Sequence, residues 1–174
     1  MILWISGISG VGKSTLAKKL YPLLKKKTKN LIWIDGDQFR KIFNNDLRYT
    51  LKDRNKNAQR ICSFVNFLSA NKINVILSAN LTSNKYRKWC KKNLKNYISI
   101  YIESNLKNLF KRDKKNIYNN LKIKKNVVGL DIKKAKPTNV DYLIENNGNK
   151  KKFLDEVQNI FKLIKKKKIK LSKI

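Results

Sequence analysis

The sequence predicts an α/β fold, three layers α/β/α around a mostly parallel five-stranded sheet. Short β-branched or apolar runs alternate with longer stretches of helical periodicity, as a parallel sheet with crossover helices requires. The first such run, Ile2–Ser6, passes directly into a glycine-spaced loop and then into a helical pattern. The 174 residues, 41% hydrophobic, hold enough apolar material for one buried core, and no internal repeat or Pro- or Gly-rich linker divides them. One domain over residues 1–174 is therefore expected.

After the strand Ile2–Ser6 a helix is expected over Ser14–Leu24, then a second strand at Leu31–Asp35 (LIWID). A helix over Asn57–Ala70 would carry Ile61, Phe64, Val65 and Leu68 on one face. A third strand at Ile73–Ala79, a helix at Asn84–Asn93 and a fourth strand at Tyr97–Glu103 follow. A short helix at Leu106–Arg112 leads into DKKNIYNNLKIKKNV, which has little hydrophobic periodicity and reads as a mobile surface segment. Asp141–Glu145 supplies a fifth strand. Lys150–Lys165 closes the fold with Phe153, Val157, Ile160, Phe161 and Ile164 at helical spacing.

The formal net charge of +31 raises the question of a polyanionic partner. Lysine is spread along the whole chain with much Asn and Ile, the pattern of a drift toward A/T-rich codons, and Arg, the residue suited to bidentate phosphate and guanine contacts, is scarce. A solvated lysine surface is expected, and no specific nucleic acid. Cys62 and Cys90 form no CxxC pair and His is absent, which excludes a Cys/His zinc site. No apolar run approaches the ~20 residues that span a bilayer, and no charged region precedes an apolar one at the N-terminus. A cytoplasmic protein with reduced thiols and no membrane partner is expected. The basic stretch of about 150–174 ends in IKKKKIKLSKI, which reads as a solvated helix end.

Gly7-Ile8-Ser9-Gly10-Val11-Gly12-Lys13-Ser14 satisfies G-x-x-x-x-G-K-[ST] between a strand and a helix, the P-loop context. Glycines let the backbone wrap so that successive N–H groups point at phosphate oxygens, and the helix N-terminus adds its positive end. Gly7, Ser9, Gly10, Val11, Gly12, Lys13, Ser14 and Thr15 are thus expected to bind ATP, with Lys13 on the β- and γ-phosphates and the Ser14 hydroxyl on Mg²⁺. The fold class narrows accordingly to a P-loop NTPase fold.

The second strand ends in LIWIDGDQFR, which puts Asp35 and Asp37 at the carboxyl edge of the sheet, where open α/β sheets bind ligands. Two carboxylates beside a triphosphate suggest one that holds the metal and one that accepts a proton from an attacking hydroxyl. The alternative is an Asp-Gly-Asp turn that caps the following helix.

GISGVGKST, then IDGDQFR, then DRNKNAQR resembles adenylylsulfate kinase, whose members carry GLSGAGKST, DGDNVR and DRxENxRR at similar separations. The resemblance continues through VVGLDIKKAKPTNVDYLIEN, similar to the family's FTGID segment and the strand after it, and so covers about residues 2–146. It implies an ATP- and Mg²⁺-dependent kinase acting on the ribose 3′-hydroxyl of adenylyl sulfate. By the same resemblance Asp37 would be the catalytic base, Lys13 its catalytic partner at the phosphates, and Asp35 with Ser14 the metal shell. Arg40, Arg54, Asn57 and Arg60 would contact the acceptor nucleotide, and Tyr49 would stack on its base. Arg40, Arg54 and Arg60 are three of the few Arg of this chain, and their closeness in sequence by itself argues for an anionic acceptor.

The departures from the family lie on the acceptor pocket and the lid, about residues 114–130. The second stacking Phe of FTGID becomes Val127, and ISP becomes LTS at Leu81–Ser83. The lid pattern KGLYKKAR becomes KNIYNNLK, which keeps Lys115 and Tyr118. Leu81, Lys115 and Val127 are therefore further acceptor positions by resemblance. Arg112 resembles a family Arg near the ATP adenine, with Pro137–Asp141 against the same base; the alternative for Arg112 is a helix-terminal residue favoured by the dipole. The shortened VVGLDI segment looks like that of relatives in capsule-type gene clusters that phosphorylate a cytidine diphosphoramidate on its ribose.

The reading favoured by the sequence is an adenylylsulfate kinase-like enzyme of sulfate activation, with a small-molecule nucleotide as its partner. A kinase acting on cytidine diphosphoramidate is the alternative. A reading of another class, a nucleotide-switched nucleic-acid-binding protein, finds no RNA-binding motif in support. The family's tendency to dimerise implies a homodimer as the assembly to test.

Overall fold

Every residue of β1 (Ile2–Ser6) and of β3 (Asn74–Ser78) is buried. Strands apolar on both faces belong to a parallel sheet covered by helices on both sides. The computed structural model describes residues 1–113, 116–119, 125–133 and 137–167. In it β1, β2 (Leu31–Asp35), β3, β4 (Tyr97–Glu103) and β5 (Tyr142–Glu145) form one sheet in the order β2-β3-β1-β4-β5. Every strand pair is parallel, so the sheet is wholly rather than mostly so.

The alternation of side chains along β1 divides the interior in two. Leu3 and Ile5 join Leu16, Leu20, Ile100, Val157 and Ile160 under α1 (Lys13–Lys25) and α6 (Lys150–Lys166). Ile2 and Trp4 join Phe39, Ile61, Val65, Val75 and Cys90 under α2 (Gly36–Ile42), α3 (Leu51–Ala70) and α4 (Asn84–Asn93). A short α5 (Leu106–Lys111) follows β4. From β1 the chain runs to one side for β2 and β3, then crosses to the other for β4 and β5. The carboxyl end of β1 is therefore the switch point at which open sheets bind ligands.

Two helices differ from expectation. α3 starts at Leu51, because the Thr50 hydroxyl accepts the Asp53 N–H at 3.1 Å and so caps a turn whose polar residues show no apolar period. The chain after Asp35 is also a helix in its own right, α2, capped by the Asp35 side chain. Phe64 is 38% exposed rather than buried in the helix stripe. Its ring packs 5.5 Å from Phe39 at the edge of the core. Cys62 and Cys90 are buried as thiols with their sulfurs 3.6 Å apart. No described helix is long and apolar enough to cross a membrane.

Candidate active site

The phosphate loop starts where β1 passes β4. A Cβ at Gly7, whose φ is +141°, would lie 2.4 Å from the Ile102 carbonyl oxygen, so only glycine lets the chain turn there. The loop ends at Gly12, the N-cap of α1, and here the helices divide. Among the described helices, α2 to α6 each carry a side-chain cap, from Asp35, Thr50, Ser83, Asn105 and Asn149. α1 has none. Its first N–H groups remain directed at the loop, which is the requirement for holding phosphate. Ser14 and Thr15 are exposed in its first turn, Ser9 and Gly10 reach solvent, and Val11 is buried. The Lys13 ammonium donates to the Ile8 carbonyl at 2.8 Å, curled over the loop.

The Ser14 hydroxyl donates to Asp35 Oδ2 at 2.7 Å, and the Ser78 hydroxyl to the same oxygen at 2.9 Å. The other oxygen, Oδ1, accepts the Asp37 N–H at 3.0 Å. Burial pushes the Asp35 carboxyl up, but Ser14, Ser78 and the N–H groups of Asp37 and Gln38 outweigh it and hold the group below the usual carboxylate range. Asp35 is thus both the cap of α2 and an ionised oxygen donor beside Ser14. A hydroxyl and a carboxylate so placed fit Mg²⁺, which takes one or two protein oxygens and completes its shell with phosphate and water. Asp37 is exposed in the first turn of α2, and its charge reaches Arg54.

Opposite it stand two arginines against one ring. The Arg40 guanidinium lies 4.8 Å from the centre of the Tyr49 ring and that of Arg54 lies 5.3 Å from it. Arg40 is buried and donates to the carbonyls of Leu47 and Arg48. Arg54 Nε donates to the Tyr49 carbonyl at 2.8 Å, and its Nη2 to the Asn126 carbonyl at 2.8 Å. Burial, and then the neighbouring Arg40 charge, lower the Arg54 pKa. Two like charges lie beside one half-exposed aromatic ring, an arrangement that would favour an anion.

The Asn126 carbonyl belongs to a turn closed by Asp131, whose carboxylate accepts the N–H groups of Asn126 and Val127. Val127 is buried in that turn, and Gly129 packs on Ile8 of the phosphate loop. The Arg54–Tyr49 cluster and the phosphate loop therefore meet through this turn, which also borders a cavity of about 310 Å³ lined by Ile8, Ser104 and Leu106.

Asn57 and Leu81 are buried, on α3 and just after β3. Arg60 is elsewhere engaged: it forms a bidentate pair with Asp46 at 2.8 and 2.7 Å and stacks on Phe43 at 4.6 Å. Lys115 lies outside the described residues, as do residues 114 and 120–124 of the expected lid. Arg112 is the C-cap of α5 and donates to the Asn146 carbonyl at 3.1 Å. Asp141, expected near the ATP base with Pro137, is instead held by Ser99 in the middle of β4 and by Lys167, toward the opposite edge of the sheet.

Several contributors were not read from the sequence. Ser78 was legible only as strand, although it ends β3 at the ligand edge. Asn146 follows β5 at that same edge, a position that could have marked it. Arg87 is buried below the loop, donating to the Ser6 hydroxyl at 2.9 Å and to the Leu81 carbonyl, and no local pattern announced it.

An uncapped, glycine-turned helix start facing a serine–aspartate pair, on an all-parallel sheet, is the arrangement of a P-loop nucleotide-binding fold. Among solved structures, the Mycobacterium tuberculosis APS kinase in complex with AMPPNP and APS shares the fold, with a TM-score of 0.81 at 23% identity over 94% of this chain and 96% of that one. The sequence model of the adenylylsulphate kinase family matches residues 1–145, and the chain belongs to that family. A cytidine diphosphoramidate kinase of Campylobacter jejuni is 38% identical over 148 residues, 84% of this chain and 86% of that protein. An adenylyl-sulfate kinase of Deinococcus deserti is 32% identical over 117 residues, 67% of this chain and 65% of that protein.

Proposed function

We propose that this protein is a kinase that transfers the γ-phosphoryl group of ATP to the ribose 3′-hydroxyl of a nucleotide conjugate, with cytidine diphosphoramidate as the preferred acceptor. The observation that supports the choice is Tyr49, a half-exposed ring backed by Arg40 and Arg54, while Val127, where the family resemblance expects a second stacking ring, is buried in the core. Stacking is worth about 1–3 kcal/mol per base, so a one-sided wall removes part of the advantage that a larger purine would draw from a two-sided clamp and leaves room for a pyrimidine. The 38% identity to the Campylobacter enzyme over most of both chains supports the same preference. Adenylyl sulfate, the acceptor favoured by the sequence, is the second reading, supported by the match of the family model.

In this reading the loop N–H groups and Lys13 would hold the β- and γ-phosphates, and Ser14 with Asp35 would hold Mg²⁺. The metal, when bound, neutralises charge that builds on the phosphate oxygens. Asp37 takes the proton of the acceptor hydroxyl as its oxygen bonds to the γ-phosphorus, and the bond from that phosphorus to the bridging oxygen breaks to release ADP. Arg40 and Arg54 grip the anionic groups of the acceptor, and Tyr49 positions its base.

Purified protein with ATP, Mg²⁺ and either acceptor, followed by phosphorus NMR, tests the reading. A new 3′-phosphate on cytidine diphosphoramidate at the higher kcat/KM is expected. Faster turnover of adenylyl sulfate reverses the preference, and inactivity with both removes the acceptor class. Asp37→Ala is expected to lower kcat by about 10³-fold with ATP binding retained.

A further inference from the structure

A loop whose N–H groups turn inward toward phosphate must turn carbonyl groups outward, and a buried carbonyl needs a donor. Two of these outward carbonyls receive one from far away in the sequence. The Tyr118 hydroxyl donates to the Ser9 carbonyl at 2.9 Å, and the Asn146 side-chain amide donates to the Val11 carbonyl at 2.8 Å. We propose that Tyr118 and Asn146 are positioning residues for ATP, clamping the phosphate loop from behind so that the peptide groups around Gly10 and Gly12 present their N–H groups to the triphosphate. Gly10 and Gly12 sit at φ +76° and +106°, and glycine leaves neighbouring peptide planes little resistance to rotation. The outer hydrogen bonds supply the resistance that the loop's own residues lack.

Each donor is itself held. The Asp113 carboxylate accepts the N–H groups of Ile117, Tyr118 and Asn119 at 2.8, 2.6 and 2.8 Å, which fixes the backbone that carries the tyrosine. Its ring lies 5.7 Å from that of Phe110, and burial pushes the phenol up to about 12, so the hydroxyl stays a donor across the physiological range. Asn146 is buried, its N–H donates to the Glu103 carbonyl at 2.8 Å, and its own carbonyl accepts from Ser104 and Arg112 at 2.7 and 3.1 Å. The carbonyl contact with Arg112 gives that arginine a part in the same clamp.

This inference rests on the kinase reading, and one titration separates the two. The full-length protein and its Tyr118→Phe and Asn146→Ala variants are titrated calorimetrically with AMPPNP in the presence of Mg²⁺. Each variant is expected to bind about tenfold more weakly, the effect of leaving one buried carbonyl without its donor. In steady state the KM for ATP should rise by a similar factor while the KM for the acceptor stays within about twofold, a split that general loosening of the fold would not produce. Tyr118→Phe keeps the ring and decides the matter alone if Asn146→Ala does not fold. Wild-type affinity in Tyr118→Phe overturns the inference and leaves the kinase reading standing, as does an equal rise in both KM values. Failure of the wild-type protein to bind AMPPNP overturns both.

Discussion

The Ser14 hydroxyl and the Asp35 carboxylate are joined at 2.7 Å, linking the first turn of α1 to the end of β2 across 21 residues of sequence. The same carboxylate caps α2, so one side chain aligns the phosphate loop, Ser14 and the helix that carries Asp37. Asp35→Asn preserves the shape and removes the charge. It is expected to lower kcat by about 10- to 100-fold and to raise the Mg²⁺ concentration needed for half-maximal rate. A Mg²⁺ titration of initial rates checks this, and an unchanged midpoint would remove Asp35 from the metal shell.

The arginines expected on the acceptor separate by their partners. Arg54 faces Tyr49 and the turn at Asn126, whereas Arg60 is engaged with Asp46. Arg54→Ala should raise the acceptor KM by about tenfold or more with little change for ATP, since charge-assisted hydrogen bonds are among the stronger polar contacts. Arg60→Ala should leave it within about twofold, as expected of an exposed ion pair. Equal effects would place Arg60 on the acceptor after all.

The two thiols should be inert in the native protein. Cys62 opposite, and then burial, push the Cys90 thiol well above its ordinary value, which leaves almost no thiolate for nucleophilic attack. Ellman's reagent at pH 8 is expected to modify neither cysteine until denaturant is added. Rapid modification of the native protein would show that α3 and α4 separate easily.

Asp141 gives a pH signature. Burial pushes its carboxyl up, but Lys167 and the N–H and hydroxyl of Ser99 outweigh this and hold it below the ordinary 3.8. A carboxyl depressed in the folded state stabilises above its unfolded pKa, and that stability is lost as the pH falls through the folded value. Asp141→Asn should therefore cost about 1 kcal/mol at pH 7, a figure kept small by the half-exposed Lys167. The difference should close in acid, as the pH falls through the folded value of Asp141. Urea unfolding at both pH values measures it, and a difference that persists in acid contradicts the assignment.

Where a signal is local, reading the sequence sufficed. β1, β2, β4 and α4 have the limits expected from their apolar runs and turn residues, because burial on both faces of a parallel sheet leaves little choice of register. The phosphate loop was equally legible, since its glycines and helix start are contiguous. The first turn of α3 was not, because its stability comes from the Thr50 cap rather than from an apolar stripe, and α2 was legible only as the helix that an Asp-Gly-Asp turn would cap. Tyr118 was legible only as a match to a family pattern, within a segment expected at the surface. Its burial follows from Asp113, whose carboxylate folds the chain back over the loop.

By itself the sequence determined the sheet, the phosphate loop and the placing of Asp35 and Asp37 at its edge, because glycine torsions, strand burial and a helix N-terminus act within a few residues of one another. Only the tertiary structure decided which groups complete the site. It paired Arg60 with Asp46 while leaving Arg40 and Arg54 on Tyr49, and it carried Asp141 away from the nucleotide edge. It also set Tyr118 and Asn146 behind the loop, 109 and 135 residues from the carbonyls that they hold. The physical reason is the strand order, which places β1 between β3 and β4 and so brings the ends of distant strands to one edge, a proximity that no local spacing encodes.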